Sequence, residues 1–336
     1  MNLFTTYLRF ANRSLQYWSG LRLPFRMSWF VNSECQIRCG GCFFFSRSFP
    51  RGEPLSTSQR FELVDQLIEL KQPYLTLLGG EPFRCKDLFP IAQRSMAGGI
   101  AVEVTTNGLD ISEQDLERVD GSFFKIWISV DGPKEAHEAN RGPGTYDRAM
   151  YSLKQLISRR KYTRVGVSTV LNRHNASQMP DFLRMLHDIG VEQICFKDNL
   201  IPSLRVDDET LMITLDKIKQ IKKEFPGFIR QEMEFLEELP GLRQDGHARC
   251  FLDKHLHIAL LPEGTVSACV SFPVPIGNVK EKPLVEILKP GPKERYAEAA
   301  QCPGCTRSDS MFFLRFLERP WKAFLPSQVA KLIYTL

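Results

Sequence analysis

Nine cysteines fall into three groups in this 336-residue chain. Cys35, Cys39 and Cys42 form a C-x3-C-x2-C run, Cys250, Cys269, Cys302 and Cys305 are spread through the last quarter, and Cys85 and Cys195 stand alone. Three closely spaced thiolates with no fourth nearby can bind three irons of a cubane 4Fe-4S cluster, unlike the ferredoxin run, whose ligand set is complete. The fourth iron is then open to bind and reduce a substrate or cofactor. A zinc site is the plainer alternative, although it ordinarily wants four ligands. Gly40 and Gly41 between the thiols allow the tight backbone that such a loop needs.

These thiols need a scaffold. From residue 27 to about 224, short apolar or β-branched runs alternate with amphipathic stretches, which is how successive βα units with a parallel sheet read. Strands are predicted at 27–32, 74–78, 101–106, 125–130, 164–171 and 192–197, each nearly continuously apolar as a strand covered on both faces must be. Helices at 58–70 and 145–160 place Phe61, Val64, Leu67 and Ile68, and Met150, Leu153 and Ile157, on single faces. Six units predict an α/β fold, a partial (β/α)6 barrel of TIM type, with chemistry at the C-terminal ends of its strands. The cysteine run directly follows the first strand, which is such a place. A charged helix-like segment at 207–238 comes next. Runs at 256–261 and 265–271 flanking Pro262-Glu263-Gly264 then predict a β-hairpin in a small, cysteine-rich α+β second domain. The expected divisions are a basic amphipathic segment at 1–26, the barrel at 27–240, the cysteine-rich domain at 241–310 and a basic amphipathic helix at 311–336.

Composition narrows the class. With 43% hydrophobic and 25% charged residues, the chain reads as globular; disordered, collagenous and disulfide-miniprotein classes are excluded. No stretch approaches 18 uninterrupted apolar residues, so neither a spanning helix nor a cleavable signal is expected, and the chain is placed in the cytoplasm. Clustered cysteines in that reducing compartment more often hold a metal than form disulfides. The net charge of +5 belongs to the ends. Residues 1–33 hold Arg9, Arg13, Arg22 and Arg26 with no acid, and residues 311–336 hold four cations against Glu318 alone, so the body between is slightly acidic and nucleic acid is not an expected partner. Two readings of these basic apolar ends stand. They are helices docked on the barrel with an arginine-lined outer face, or helices making peripheral contact with the inner face of the membrane.

Gly79-Gly80-Glu81-Pro82 closes the second strand as the cysteine run closes the first. Together the two motifs resemble the radical S-adenosylmethionine (SAM) superfamily. The resemblance implies that SAM chelates the open iron, that the cluster cleaves SAM reductively, and that the 5′-deoxyadenosyl radical abstracts hydrogen from a substrate. It further implies that Gly79 and Gly80 bring backbone against the methionine moiety, that Glu81 accepts a hydrogen bond from its ammonium, and that Pro82 belongs to the same cofactor-binding motif. Asn107, in Thr106-Asn107-Gly108, closes strand three in the same family manner. Ser129 resembles the hydroxyl contacting the ribose, Arg141 the arginine pairing with the SAM carboxylate, and Asn172 would face the same pocket. Gly pairs and strand-end Ser or Asn also serve as plain turn and backbone partners; Asp131 and His137 read as possible braces for the loop. Many members carry an aromatic residue where this chain has Gly41, and Phe43, Phe44 and Phe45 are the candidates to replace it.

The four later cysteines read physically as a zinc knuckle or a second iron-sulfur cluster. Cys250, then G-x4-C ending at Cys269, then Ile276-Gly277-Asn278-Val279, then Cys302-Pro303-Gly304-Cys305 resembles the twitch form of the SPASM extension. That implies one auxiliary 4Fe-4S cluster with complete cysteine ligation, placed to relay electrons. Cys85 and Cys195 are expected to be packing residues, and His255 and His257 structural. The expected activity is thus an oxygen-sensitive radical SAM enzyme, oxidising or bond-forming, served by a low-potential donor such as a flavodoxin or ferredoxin. A small-molecule or lipid-like substrate is favoured over a peptide, with peptide modification the alternative. A non-catalytic iron-sulfur or zinc redox regulator is the competing class.

Overall fold

The computed structural model describes residues 3–46, 52–199, 201–244, 252–289, 296 and 299. In chain order the elements are α1 (Leu3–Trp18), β1 (Arg26–Phe30), α2 (Phe43–Ser46), α3 (Thr57–Glu69), β2 (Tyr74–Leu78), α4 (Leu88–Ala97), β3 (Ala101–Thr106), α5 (Glu113–Val119), β4 (Lys125–Ser129), α6 (Lys134–Arg141), α7 (Thr145–Arg159), β5 (Arg164–Leu171), α8 (Met179–Asp188), β6 (Gln193–Asp198), α9 (Asp208–Glu224), α10 (Met233–Gln244), β7 (His257–Leu260), β8 (Thr265–Ser267), β9 (Pro275–Asn278) and α11 (Leu284–Ile287). The six predicted strands lie within two residues of β1 to β6 at either end.

One sheet runs in the order β6-β5-β4-β3-β2-β1-β7-β8-β9, and every pair from β6 to β7 is parallel. Helices between the strands cover its outer face, as crossover connections require, and the sheet forms the expected partial barrel. Outward-facing Met27, Val104, Ile126, Val167 and Ile194 are fully buried beneath those helices. The strands differ from the expected apolar runs in one respect. Arg26 and Ser28 alternate with Met27 and Trp29, and Lys125 and Ser129 share a strand with Ile126 and Ile128, so polar residues recur at every second position. Successive strand residues point to opposite faces, and here the inner face of the barrel is polar and charged.

The predicted hairpin forms as β7 and β8, with Gly264 at a φ of +95° in its turn. It also prolongs the barrel sheet, because β7 pairs with β1 in parallel register from Arg26 opposite His257 to Trp29 opposite Leu260. The charged segment expected as one helix is two. Pro226 follows the C-cap Phe225, and Gly227 takes a φ of +88°, which stops α9. The released backbone at Ile229 bridges to Ile194 on the free edge of β6.

α1 docks on the barrel, but not with its arginines outward. Arg13 is buried and donates to the carbonyls of Leu70 and Lys71, and Arg9 donates to those of Gln72 and Gly98. These carbonyls belong to the C-terminal ends of α3 and α4, where helices leave acceptors without intrahelical donors. Burial brings the Arg13 guanidinium down to about 10, with nearby Arg9 contributing. The exposed side of α1 carries Leu8, Leu15 and Trp18. Among the described residues, no helix is long and apolar enough to cross a membrane.

Candidate active site

The cysteine loop is held to the next strand by backbone. Gly80 N–H donates to Asn32 O at 3.0 Å and Glu81 N–H to Glu34 O at 2.6 Å. A Cβ on Gly79 would stand 2.5 Å from Asn32 O, and one on Gly80 would stand 2.0 Å from Glu34 O. The glycine pair thus allows the second strand end to press against the cysteine loop, a close approach that no side chain permits. The far side of the loop is fixed from α6, where Asn140 accepts from Gly40 N–H through its carbonyl at 2.8 Å and from Gly41 N–H through Oδ1 at 2.9 Å.

Cys35, Cys39 and Cys42 are half-buried and stand on the rim of one cavity inside the barrel. Two donors approach their sulfurs, Asn107 Nδ2 at 3.7 Å from Cys35 Sγ and Arg141 Nη1 at 3.9 Å from Cys39 Sγ. Burial pushes the Cys39 thiol up to about 11, with Cys42, Asp131 and Cys35 adding to the effect and Arg141 opposing it. A metal binding there has to displace that proton. Among the described residues, no three His, Cys, Asp or Glu side chains converge as ligands of a single metal ion would. A cubane spreads its thiolates over separate irons, and three thiols with N–H donors at two of their sulfurs fit such a cluster.

Of the other expected contacts, Gly79, Gly80, Asn107, Ser129 and Arg141 line the same cavity. Arg141 has a divided role. Its Nε and Nη2 grip Asp131 at 2.7 and 3.2 Å, and Nη1 remains toward Cys39 and the cavity. Burial opposes the charge on both partners, but each holds the other ionised, Asp131 below the usual carboxylate range and Arg141 above its own. Asp131 also accepts from Asn140 Nδ2 and Val170 N–H, so it is the brace of this corner. His137 is a second brace. Its Nδ1 accepts from Asp131 N–H, and burial lowers it to about 4, with Arg141 contributing.

Three expected contacts lie off the cavity wall. Glu81 is wholly buried; its oxygens accept from Thr106 Oγ1 at 2.6 Å, Asn107 N–H at 2.8 Å and Phe83 N–H at 3.1 Å. Burial raises its carboxyl to about 7. In this structure it fixes the backbone of Asn107 instead of presenting a free carboxylate. Pro82 opens the short turn behind it. Asn172 donates to Val170 O and accepts from His174 N–H, closing its own turn. The space an aromatic residue would take at Gly41 is filled by Asn199 and Asn140, with Asn199 Nδ2 only 2.8 Å from a Cβ there. Phe44 and Phe45 line the cavity instead, Phe44 stacked on Phe30 at 5.0 Å.

The cavity of about 270 Å³ is far larger than the 10–15 Å³ that one water needs. Its deeper wall holds residues not expected to be there: Arg26, Trp127, Cys195, Arg230 and His257. Cys195 is buried, as expected of a packing residue, but faces the lumen, and Gln231 Nε2 approaches its sulfur at 3.4 Å. His257 shares a 2.8 Å hydrogen bond with Ser28 across the β1–β7 pair. Period-two alternation of polar residues in the strands was the available signal for the lumen; Arg230 had none, lying inside a presumed helix. Cys85 packs in the core beside Arg60, away from the cavity. His255 shares a 2.6 Å hydrogen bond with Tyr296. Cys250, Cys302 and Cys305 lie outside the described residues, as does the segment 311–336. Cys269 is half-buried just after β8, with Ser271 N–H 3.4 Å from its sulfur.

The model of the Radical SAM superfamily matches residues 30–186. Pre-heme d1 synthase of Dinoroseobacter shibae is 29% identical over 167 residues, 49% of this chain and 41% of that protein. AdoMet-dependent heme synthase of Methanosarcina barkeri is 26% identical over 299 residues, 79% of this chain and 82% of that protein. The crystal structure of Streptococcus suis SuiB bound to precursor peptide SuiA superposes with a TM-score of 0.66 at 15% identity, covering 82% of this chain and 66% of that one. The chain spans about two fifths of the first relative's length.

Proposed function

Residues 30–186 form a domain of the Radical SAM superfamily, and from that premise we propose that the chain reductively cleaves SAM at a 4Fe-4S cluster held by Cys35, Cys39 and Cys42 and turns the resulting radical on a small-molecule or lipid-like substrate. The observation that carries this reading is the placing of three thiols, Asn107, Ser129 and Arg141 on the lining of one cavity. When bound, the cluster supplies one electron to SAM, and the organic radical so formed takes a hydrogen atom from the substrate.

The chain's own residues position and enclose. Arg141, locked by Asp131, offers Nη1 to a carboxylate beside the cluster. Glu81, through Asn107 N–H, sets the height of the Asn107 side chain. Gly79 and Gly80 leave backbone bare for the methionine end, Ser129 offers a hydroxyl to the ribose, and Phe44 and Phe45 provide aromatic faces for adenine. Phe30 and Phe44 exclude water from the β1 side.

An auxiliary 4Fe-4S cluster on Cys250, Cys269, Cys302 and Cys305 belongs to the same proposal. Its support is that Val270 and Ser271, immediately after Cys269, line the cavity, so an electron taken from a substrate there has a short route. Anaerobically reconstituted protein, reduced with dithionite and given SAM, is expected to form 5′-deoxyadenosine and to hold about seven or eight irons per chain. Absence of 5′-deoxyadenosine, or near-stoichiometric zinc with under about two irons, would overturn the reading in favour of a non-catalytic regulator.

A further inference from the structure

Three asparagine side chains belong to the cavity wall: Asn107 after β3, Asn140 in α6 and Asn199 after β6. Two of them are engaged at both ends of the amide. Asn107 Oδ1 accepts from Leu109 N–H, and its Nδ2 reaches Gln36 Oε1 at 3.2 Å and Cys35 Sγ at 3.7 Å. Asn140 Oδ1 accepts from Gly41 N–H, and its Nδ2 donates to Asp131 at 2.6 Å. Asn199 is engaged at one end. Its Oδ1 accepts from Ile201 N–H at 2.9 Å, whereas its Nδ2 is buried with no hydrogen-bond partner among the described residues. Turning the amide over would take the acceptor away from Ile201, so the end left over is a donor.

The cysteine loop makes room for that donor. A Cβ on Gly41 would stand 2.8 Å from Asn199 Nδ2, so a side chain at this position would push the amide aside. Gly41 does not take the left-handed backbone conformation that favours glycine. What its missing side chain provides is space. Asn199 is 2% exposed, and a buried N–H without an acceptor is a cost that native folds seldom carry without a reason. Phe44, Phe45 and Ile201 line the same cavity. A lone polar group among apolar and aromatic side chains is how a pocket fixes the orientation of a bound molecule. The carboxylate end of SAM is already provided for at Arg141. Its other end is a flat, neutral base whose ring nitrogens accept and do not donate, which is what a single uncharged N–H suits.

We propose that Asn199 reads the adenine base, its Nδ2 donating to one ring nitrogen of SAM, and that Gly41 is the glycine that leaves room for it. This rests on the reading of the cavity as the place where SAM binds. The hydrogen bond fixes how the base is turned. A base with C–H in place of that nitrogen would fill the same volume but leave the buried donor without an acceptor. A site built on a hydrogen bond rejects an analogue that lacks it more sharply than a site built on shape, here by roughly tenfold or more in affinity.

The test measures equilibrium affinities of anaerobically reconstituted protein for SAM and for its 1-deaza, 3-deaza and 7-deaza analogues. One analogue is expected to bind about tenfold or more weakly than SAM, and it identifies the nitrogen that Nδ2 meets. Asn199→Leu with wild-type iron content is expected to bind SAM about tenfold more weakly and to bind that analogue as well as SAM. Gly41→Ala, which displaces the amide, is expected to narrow the same difference. Affinities for all three analogues equal to that for SAM in the wild type overturn the inference. So does a preference that persists in iron-loaded Asn199→Leu, or a shifted cluster potential in that variant with unchanged SAM affinity, which would assign Nδ2 to a cluster sulfur. Formation of 5′-deoxyadenosine is read on the same wild-type preparation. Product with equal analogue affinities removes this inference and leaves the proposed reaction standing; a lost preference in Asn199→Leu without product in the wild type does the reverse.

Discussion

The rim and the floor of the barrel are built by different means. At the rim, backbone does the positioning: Gly79 and Gly80 press on Asn32 and Glu34, Asn140 holds Gly40 and Gly41, and the reactive groups are three thiols carried on that scaffold. At the floor, side chains position one another, with Glu103 gathering Arg26, Tyr74, Thr76 and Trp127. A backbone scaffold fails through shape and a side-chain network through charge, so the two regions should respond to different substitutions.

The largest effect is expected at the rim. Replacing any one of Cys35, Cys39 or Cys42 by Ala should lower 5′-deoxyadenosine formation by more than about a hundredfold, with roughly four irons lost; chromatography of the nucleoside and iron analysis check it. At the floor, Glu103→Gln removes the carboxylate that pairs with buried Arg26 and should cost about 3–5 kcal/mol of unfolding free energy, read from denaturant midpoints. A loss under about 1 kcal/mol would mean that the network is not a unit.

Next comes the contrast between shape and charge on the rim itself. Gly80→Ala places a methyl against the Glu34 carbonyl and should cost about 1–3 kcal/mol while reducing cluster loading. The His137 brace supplies a pH test. Its unfolded value is 6.5 and its folded value about 4. Between these the unfolded chain binds more protons, so stability is intact above pH 6.5 and falls as pH drops toward 4, by about 3 kcal/mol in all. His137→Asn should flatten that segment of the stability profile. Smallest in its effect on the chemistry is Arg13→Met, which removes the donor to the carbonyls of Leu70 and Lys71. It should cost about 1–3 kcal/mol with SAM cleavage in the remaining folded protein unaltered.

The same contrast sets what could be read without coordinates. The rim was legible because thiols, glycines and their spacing are local in sequence. Parallel strands were legible because the face that the helices cover demands apolar and β-branched residues, as Met27, Ile126 and Val167 show. The floor was largely hidden, since Arg26, Glu103, Lys125 and Gln193 come from four strands and acquire meaning only when the barrel closes them into contact. Arg230 was hidden for another reason: Pro226-Gly227 breaks a helix that the charge pattern seemed to continue. Glu81 shows a limit of motif transfer. The residue stands where the pattern puts it, but its carboxylate is taken by Thr106, Asn107 and Phe83.

The inward arginines of α1 also bear on the order of assembly. Arg13 finds its carbonyls 57 and 58 residues further along the chain, and Arg9 finds its own 63 and 89 residues further. At about 5–20 residues per second, a ribosome needs roughly 3 to 20 s to make that intervening stretch. The β1–β7 pairing, between segments still more distant, waits longer. Contacts of such separation close slowly. α1 is therefore written ahead of the barrel and locked onto it only after the first and second βα units exist, a clasp that fastens late.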